Sequence, residues 1–248
     1  MMNRFLLLLV VFAPLACSSP TPNPDALTGI RSQDRVIVAP LNLALRMPAE
    51  VDGMEEPVWH ALLDHFETRG RAVQRIEAAD ARSLWHSVVS EMGESRELAG
   101  ATSNFARQLA AHSEFDLLVM PAVVMRRAAL RGHHAYWDGV RRRVRVDGAW
   151  DGPIDEIGGP GDLTYVRGLN GQLAGASLYV AVLTPDGRSV YQGLGGLDLL
   201  QEAKQARHAK RGVWRVVLRE APFATPRHLQ EGIGLALERE LPRTARAW

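Results

Sequence analysis

The sequence predicts a mixed α/β domain, one mixed β-sheet with helices packed against it. Strand-length apolar runs and stretches of helical period follow one another as strand, helix, strand, two helices, strand hairpin, strand hairpin, helix. Residues 115–125, FDLLVMPAVVM, are the most apolar stretch after the N-terminal leader and read as the central strand. Turn signals such as Pro185-Asp186-Gly187 separate strands that pair. The 248 residues suffice for one domain of good size.

Residues 1–34 stand apart from that domain. Arg4 supplies an early positive charge, residues 5–12 are unbroken apolar, and Ala13-Pro14-Leu15-Ala16 leads into Cys17, the single cysteine. A basic end, an apolar core and a small residue before a cut are the plan of a secretory signal. The run is shorter than the ~20 apolar residues that span a bilayer, so residues 1–16 are expected to be removed. The Ala16-Cys17 junction resembles the lipobox of bacterial lipoproteins. That resemblance implies cleavage before Cys17, lipidation of its thiol and acylation of the new N-terminus by chains such as palmitate. Ser18, where aspartate would favour inner-membrane retention, implies on the same resemblance an outer-membrane location facing the periplasm. Each buried methylene contributes about 0.8 kcal/mol, so several chains together hold firmly. Residues 17–34, with Pro20, Pro22 and Pro24 among polar residues, read as the lipidated cysteine and a flexible linker.

The domain, residues 35–248, opens with RVIVAPLNL at 35–43, whose apolar start suits a strand covered on both faces. Glu55-Glu56-Pro57 places acids and a proline at a helix start, Val58, Trp59, Leu62, Leu63 and Phe66 recur at helical spacing, and Gly70 ends the helix. Residues 72–76 read as a strand. Residues 80–92 and 102–112 read as helices, with Leu84, Trp85, Val88 and Val89 inward on the first and Phe105 and Leu109 on the second. The central strand runs on into 126–131, and Pro121, which has no N–H to donate, is expected at a bulge or bend. Residues 133–139 read as one turn and 140–146 as the returning strand of a hairpin. Residues 147–171, rich in Gly, Asp and Pro, read as a long loop or insertion. Residues 172–183 and 189–197 form the second hairpin, and 198–211 read as loop or a short exposed helix. Residues 213–218 carry no decisive pattern. Thr225-Pro226 starts a final helix to Leu241, with Leu229, Ile233, Leu235, Ala236 and Leu237 inward.

A cysteine set for lipidation, a Pro-rich tether, an opening strand that ends in Ala-Pro and a PDG hairpin together resemble a group of envelope lipoproteins. The group includes curli-secretion lipoproteins and lipoprotein activators of penicillin-binding proteins. The resemblance covers about residues 35–130 and 172–241 and implies a fold similar to the N-terminal domain of the Tol-system periplasmic protein. It carries no site residues.

The candidate chemistry is thin. The chain has 29 Lys and Arg against 28 Asp and Glu, and Arg4 falls in the expected signal, so the remainder is neutral and argues against nucleic acid as a partner. His133, His134 and Asp138 are metal-ligand types without a standard zinc spacing, and a solvated turn is the plainer reading. His60 and His65, five apart, fall on different helix faces. Gly193, Gly195 and Gly196 lack the spacing of a nucleotide loop. Asp151, Asp155, Glu156 and Asp162 could act as paired carboxylates or as calcium ligands, or simply keep a loop soluble. No serine-hydrolase elbow, zinc-protease helix or phosphate loop occurs.

One cluster points outward. Arg126, Arg127, Arg131, Arg141, Arg142, Arg143 and Arg145 flank a single hairpin, where cross-strand neighbours lie within about 5 Å. They read either as a solvated edge kept from aggregating or as a face that docks an acidic partner, which could be the chain's own 151–162 loop, a protein or an anionic envelope polymer. The expectation is an outer-membrane lipoprotein, anchored to the membrane through Cys17, with a non-catalytic domain. It would be an accessory or assembly subunit of a cell-envelope machine, acting through an envelope protein partner. No cofactor, metal or small-molecule substrate is expected. The alternative is a hydrolase or polysaccharide-modifying enzyme that uses residues 133–162.

Overall fold

The computed structural model describes residues 35–53, 55–93, 97–144, 149–150, 165–167, 170–206 and 213–241. The expected signal, Cys17, the linker, Arg145 and the four acids of the insertion lie outside the described residues. The chain builds β1 (Val36–Val38), α1 (Glu55–Thr68), β2 (Val73–Arg75), α2 (Ala78–Glu91), α3 (Leu98–Ala110), β3 (Leu117–Arg131), β4 (His134–Trp137) and β5 (Val140–Arg143). Then come β6 (Ala149–Trp150), β7 (Tyr165–Arg167), β8 (Asn170–Leu183), β9 (Ser189–Leu199), β10 (Gln201–Ala206), β11 (Val213–Leu218) and α4 (Pro226–Glu238). The strands form one mixed sheet, so the expected fold class holds. Its main path is β2-β1-β3-β8-β7-β11-β10-β6, with β4 and β5 continuing from the far end of β3 and β9 pairing with β8. β1 is parallel to β2 and β3, and β3, β8 and β9 are antiparallel neighbours.

Among the described residues β3 is the longest strand, and it pairs with β1, β8 and β4. It pairs with β8 from Leu118–Leu183 to Arg131–Asn170 without a register shift, so Pro121 sits in a regular ladder opposite Val180 and not at a bulge. The proline is tolerated because its nitrogen faces the side on which β1 has already ended. There the Pro121 carbonyl accepts from Asn42 N at 3.0 Å. Asn42, left-handed at φ 55, then finishes the edge with its side chain. Its Nδ2 donates to Val123 O at 2.9 Å and its Oδ1 accepts from Val123 N at 2.8 Å, in place of a longer β1.

Helices cover both faces of the β1-β3-β8 region. On one face α1 and α4 bury Val58, Leu62, Phe66, Ile233 and Leu237 against Val119, Val123, Leu178 and Val180. On the other, α2 and α3 bury Val88, Phe105 and Leu109 against Ile37, Leu118 and Leu183. Each such fully buried side chain contributes about 1.5–3 kcal/mol relative to exposure. α3 starts at Leu98, earlier than its apolar pattern suggested.

Several sequence expectations change. Residues 133–139 are not one turn. A first turn carries Gly132 at φ 59, HAYW then forms β4, and Asp138-Gly139, at φ 37 and 84, turns the chain into β5. Both central residues at positive φ match the hairpin turn that Asp-Gly favours. The described parts of the insertion include β6 and β7. Residues 198–206 are neither loop nor helix: Asp198 and Leu199 end β9, β10 follows, and β10 pairs with 213–218, now β11.

The three glycines that looked like a weak nucleotide loop have a packing role. A Cβ on Gly193 would collide with Ala236 O of α4, one on Gly195 with Gly232 O, and one on Gly232 with Gly196 O. Helix backbone therefore lies directly on strand backbone. Gly175 and Gly196 likewise leave room for the Trp137 ring on the opposite face of the sheet, whose Nε1 donates to Ala176 O at 3.2 Å. Gly234, on the same helix, meets nothing nearer than 3.9 Å. Gly232→Ala is expected to destabilise by about 1–3 kcal/mol through overpacking. Gly234→Ala is expected to be neutral or to stabilise by up to about 1 kcal/mol through helix propensity. Urea unfolding of the two variants checks the contrast, and equal midpoints would contradict so close a seat.

Candidate functional site

The arginine-rich hairpin is built by alternation. Successive side chains of a strand point to opposite faces. On β3, Ala128 and Leu130 point inward, which leaves Arg127 and Arg131 exposed. On β5, Val140 and Arg142 point inward, which leaves Arg141 and Arg143 exposed. On β4, Ala135 and Trp137 are buried, Tyr136 is 40% exposed and His134 is half-buried. The register sets two cross-strand rows on the outer face, Arg131–His134–Arg143 and Ala129–Tyr136–Arg141. Met125, 42% exposed, extends the same face along β3. The Arg141 guanidinium lies 5.8 Å from the Tyr136 ring centre, and its Nη2 lies 3.0 and 3.2 Å from the two ring nitrogens of His134. No acid occurs in residues 126–131, in β4, in β5 or in residues 170–172 of β8.

Two of the arginines grouped by sequence leave this face. Arg126 points to the other side, where Nε and Nη2 donate to Asp138 at 2.9 and 3.3 Å; Asp138 also accepts from the buried Ser177 hydroxyl at 2.6 Å. Arg142 is only 4% exposed and reaches α4. Its Nη1 donates to Glu231 Oε2 at 2.7 Å, and its Nη2 to His228 O and Leu197 O at 3.3 and 3.4 Å. Burying a guanidinium is tolerable only with such partners. Arg126 and Arg142 thus fix the hairpin to the domain. Among the described residues, Arg127, Arg131, Arg141 and Arg143 meet no acid.

The other candidates separate. His133 is exposed, His134 belongs to the arginine face, and Asp138 is engaged on the opposite side with Arg126. Among the described residues no group of three or more His, Cys, Asp or Glu could hold a metal ion. His60 is exposed and His65 buried, on different faces as expected. An apolar groove of about 110 Å³ lies between α3 and β9, lined by Leu98, Thr102, Met120, Tyr179 and Leu183 among others. A wider cleft of about 530 Å³ separates α1 from α4. Neither is lined by His133, His134 or Asp138.

Sequence reasoning missed Asp198. Its carboxylate is buried, with Oδ1 2.8 Å from Arg219 Nη1 and 3.3 Å from His228 Nδ1. Oδ1 also accepts from Leu199 N at 2.9 Å, and Oδ2 from Phe223 N at 3.0 Å. Phe223 is left-handed at φ 65, a conformation that costs a non-glycine residue roughly 1–2 kcal/mol. Asp198 therefore holds the loop that delivers the chain into α4, a structural role. No family model, curated protein or solved structure matches the chain.

His65 lines the α1–α4 cleft, and its Nδ1 accepts from Arg69 Nη1 at 2.9 Å. Arg69 also pairs with Glu238 of α4. Burial first, then Arg69 and Arg71, hold the imidazole at about 4, below its ordinary 6.5. The unfolded chain takes up this proton at higher pH than the folded one, so the stability is present above about 6.5 and lost as pH falls towards 4. His65→Leu is expected to flatten the fall in melting temperature across that interval. An unchanged slope would show that His65 is not buried neutral between the helices.

Proposed function

We propose that this chain is an outer-membrane lipoprotein, anchored through Cys17 and facing the periplasm, with a non-catalytic domain. It serves as an accessory or assembly subunit of a cell-envelope machine and works through contact with an envelope protein. The observation that carries the reading is the outer face of β3, β4 and β5, which holds no acid among the described residues and where Arg127, Arg131, Arg141 and Arg143 surround His134 and Tyr136. A guanidinium is always charged and takes carboxylate or phosphate through two parallel hydrogen bonds. Four of them, two on β3 and two on β5 across β4, repel one another unless solvent or an anion compensates. An edge that needed only solubility would be served as well by mixed charge, and it gains nothing from exposed Tyr136 and Met125 among the cations. An acidic surface on the partner completes the arrangement. The export segment and tether support the placement, because they would keep the domain near the membrane.

Capture from crosslinked envelopes tests the reading. With Arg127, Arg131, Arg141 and Arg143 all replaced by glutamine, partner capture is expected to fall at least about tenfold while stability changes by less than about 1 kcal/mol. Capture by the wild-type chain should weaken with salt, as the screening length drops from about 10 Å at 0.1 M to about 3 Å at 1 M. Cys17→Ala should lose incorporation of labelled palmitate and leave the membrane fraction. Equal, salt-insensitive capture by the arginine variant would contradict the docking face. Palmitate label that persists in Cys17→Ala would contradict the anchor.

A further inference from the structure

We propose that His134 is part of the anion-binding face and that docking an anionic partner places a proton on it, so that the contact tightens as pH falls. This rests on the reading of the arginine face as a docking surface, and adds the residue and the coupling. His134 sits at the centre of the face: its cross-strand partners are Arg131 on β3 and Arg143 on β5. Its ring lies 6.5 Å from that of Tyr136, and Arg141 Nη2 is within hydrogen-bond distance of its ring nitrogens. A guanidinium can only donate, so whichever of the two ring nitrogens accepts from it must offer a lone pair, and the contact favours the neutral imidazole.

Among the described residues, the titratable and charged groups around the ring are Arg131, Arg141, Arg143, His133 and Tyr136, with no carboxylate among them. Partial burial first, then Arg141, Arg143 and His133, push the imidazole below its ordinary pKa. A carboxylate of the acidic partner protein, for which the sulfate of a probe can stand in, brought against the face supplies an acceptor. Arg141 then turns from the imidazole to the anion, and the freed nitrogen takes a proton from solvent and donates to the same anion. The only bond change is this proton transfer: an N–H bond forms on the imidazole as the hydronium or buffer acid that supplies the proton loses its own bond to it. The sign follows from linkage: the free face has the lower pKa and the occupied face the higher. Between the two the complex binds more protons than its parts, and affinity rises as pH falls through that interval.

The test is titration calorimetry of the full chain with dextran sulfate, whose charge is constant between pH 5 and 8. It is run near pH 6 in buffers of different ionisation enthalpy, and repeated across the pH range. Wild type is expected to take up a fraction of a proton per site and to bind roughly three- to tenfold more tightly at the acid end. His134→Gln should still bind at pH 8 but lose both the uptake and the steepening, whereas His133→Gln should keep both. Arginine-dependent binding without proton uptake, or uptake unchanged in His134→Gln, would overturn the proposal and leave the docking face standing. Binding unaffected by glutamine at Arg127, Arg131, Arg141 and Arg143 would overturn the docking face and this proposal with it.

Discussion

The contact on which the rest of the structure depends is that of α4 with β9, backbone against backbone. Gly193 and Gly195 on the strand and Gly232 on the helix remove the side chains that would hold the two apart. At that separation the Tyr191 hydroxyl donates to Ala236 O at 2.8 Å, and burial raises its pKa well above the ordinary value. The chain leaving α4 then adds to the strand edge, with Leu241 N donating to Gln192 O at 2.7 Å. The entry to the helix is equally determined, because Asp198 at the end of β9 grips Phe223 N, Arg219 and His228.

The seat of α4 decides which arginines are free. With the helix this close, Glu231 and the His228 carbonyl come within reach of the β4–β5 hairpin, and Arg142 is drawn inward to meet them. Asp138 at the hairpin turn folds onto the same side, where Arg126 and Ser177 hold it, and its carbonyl accepts from Gly196 N at 3.2 Å. Among the described residues, the acids that meet the hairpin, Asp138 and Glu231, are thus used on its inner side. Alternation then forces Arg127, Arg131, Arg141 and Arg143 to the outer side, where no acid stands among the described residues of β3, β4 and β5. The positive face follows from how the hairpin is tied down, although the chain as a whole is close to neutral.

Much of this was legible in the sequence. The order of elements, the central strand and the inward faces of α1 and α4 followed from apolar period, because those residues meet a continuous core. The arginine cluster was legible as a cluster but not as two populations. Glu231, the partner of Arg142, lies 89 residues away, and no local pattern marks a buried arginine. β4 was hidden because its four residues fall between two turn signals that read as one. β10 was hidden because its inner face carries Ala203 while Glu202 and Lys204 pair with each other at 3.1 Å, so a strand looks like a polar loop. Pro121 misled because the end of β1 and the side chain of Asn42, both long-range features, remove the need for its N–H.

The most direct test is arginine footprinting with a dicarbonyl reagent, read by mass spectrometry on the purified chain and on intact envelopes. In the purified chain Arg127, Arg131, Arg141 and Arg143 should react readily, and Arg142 should react only on unfolding. In envelopes the same four should become protected while an exposed control far from the face, such as Arg188 beside the PDG turn, stays reactive. Reactivity of Arg142 in the folded chain would contradict the division of the arginines, and equal reactivity of the four in both settings would contradict their use as a contact surface.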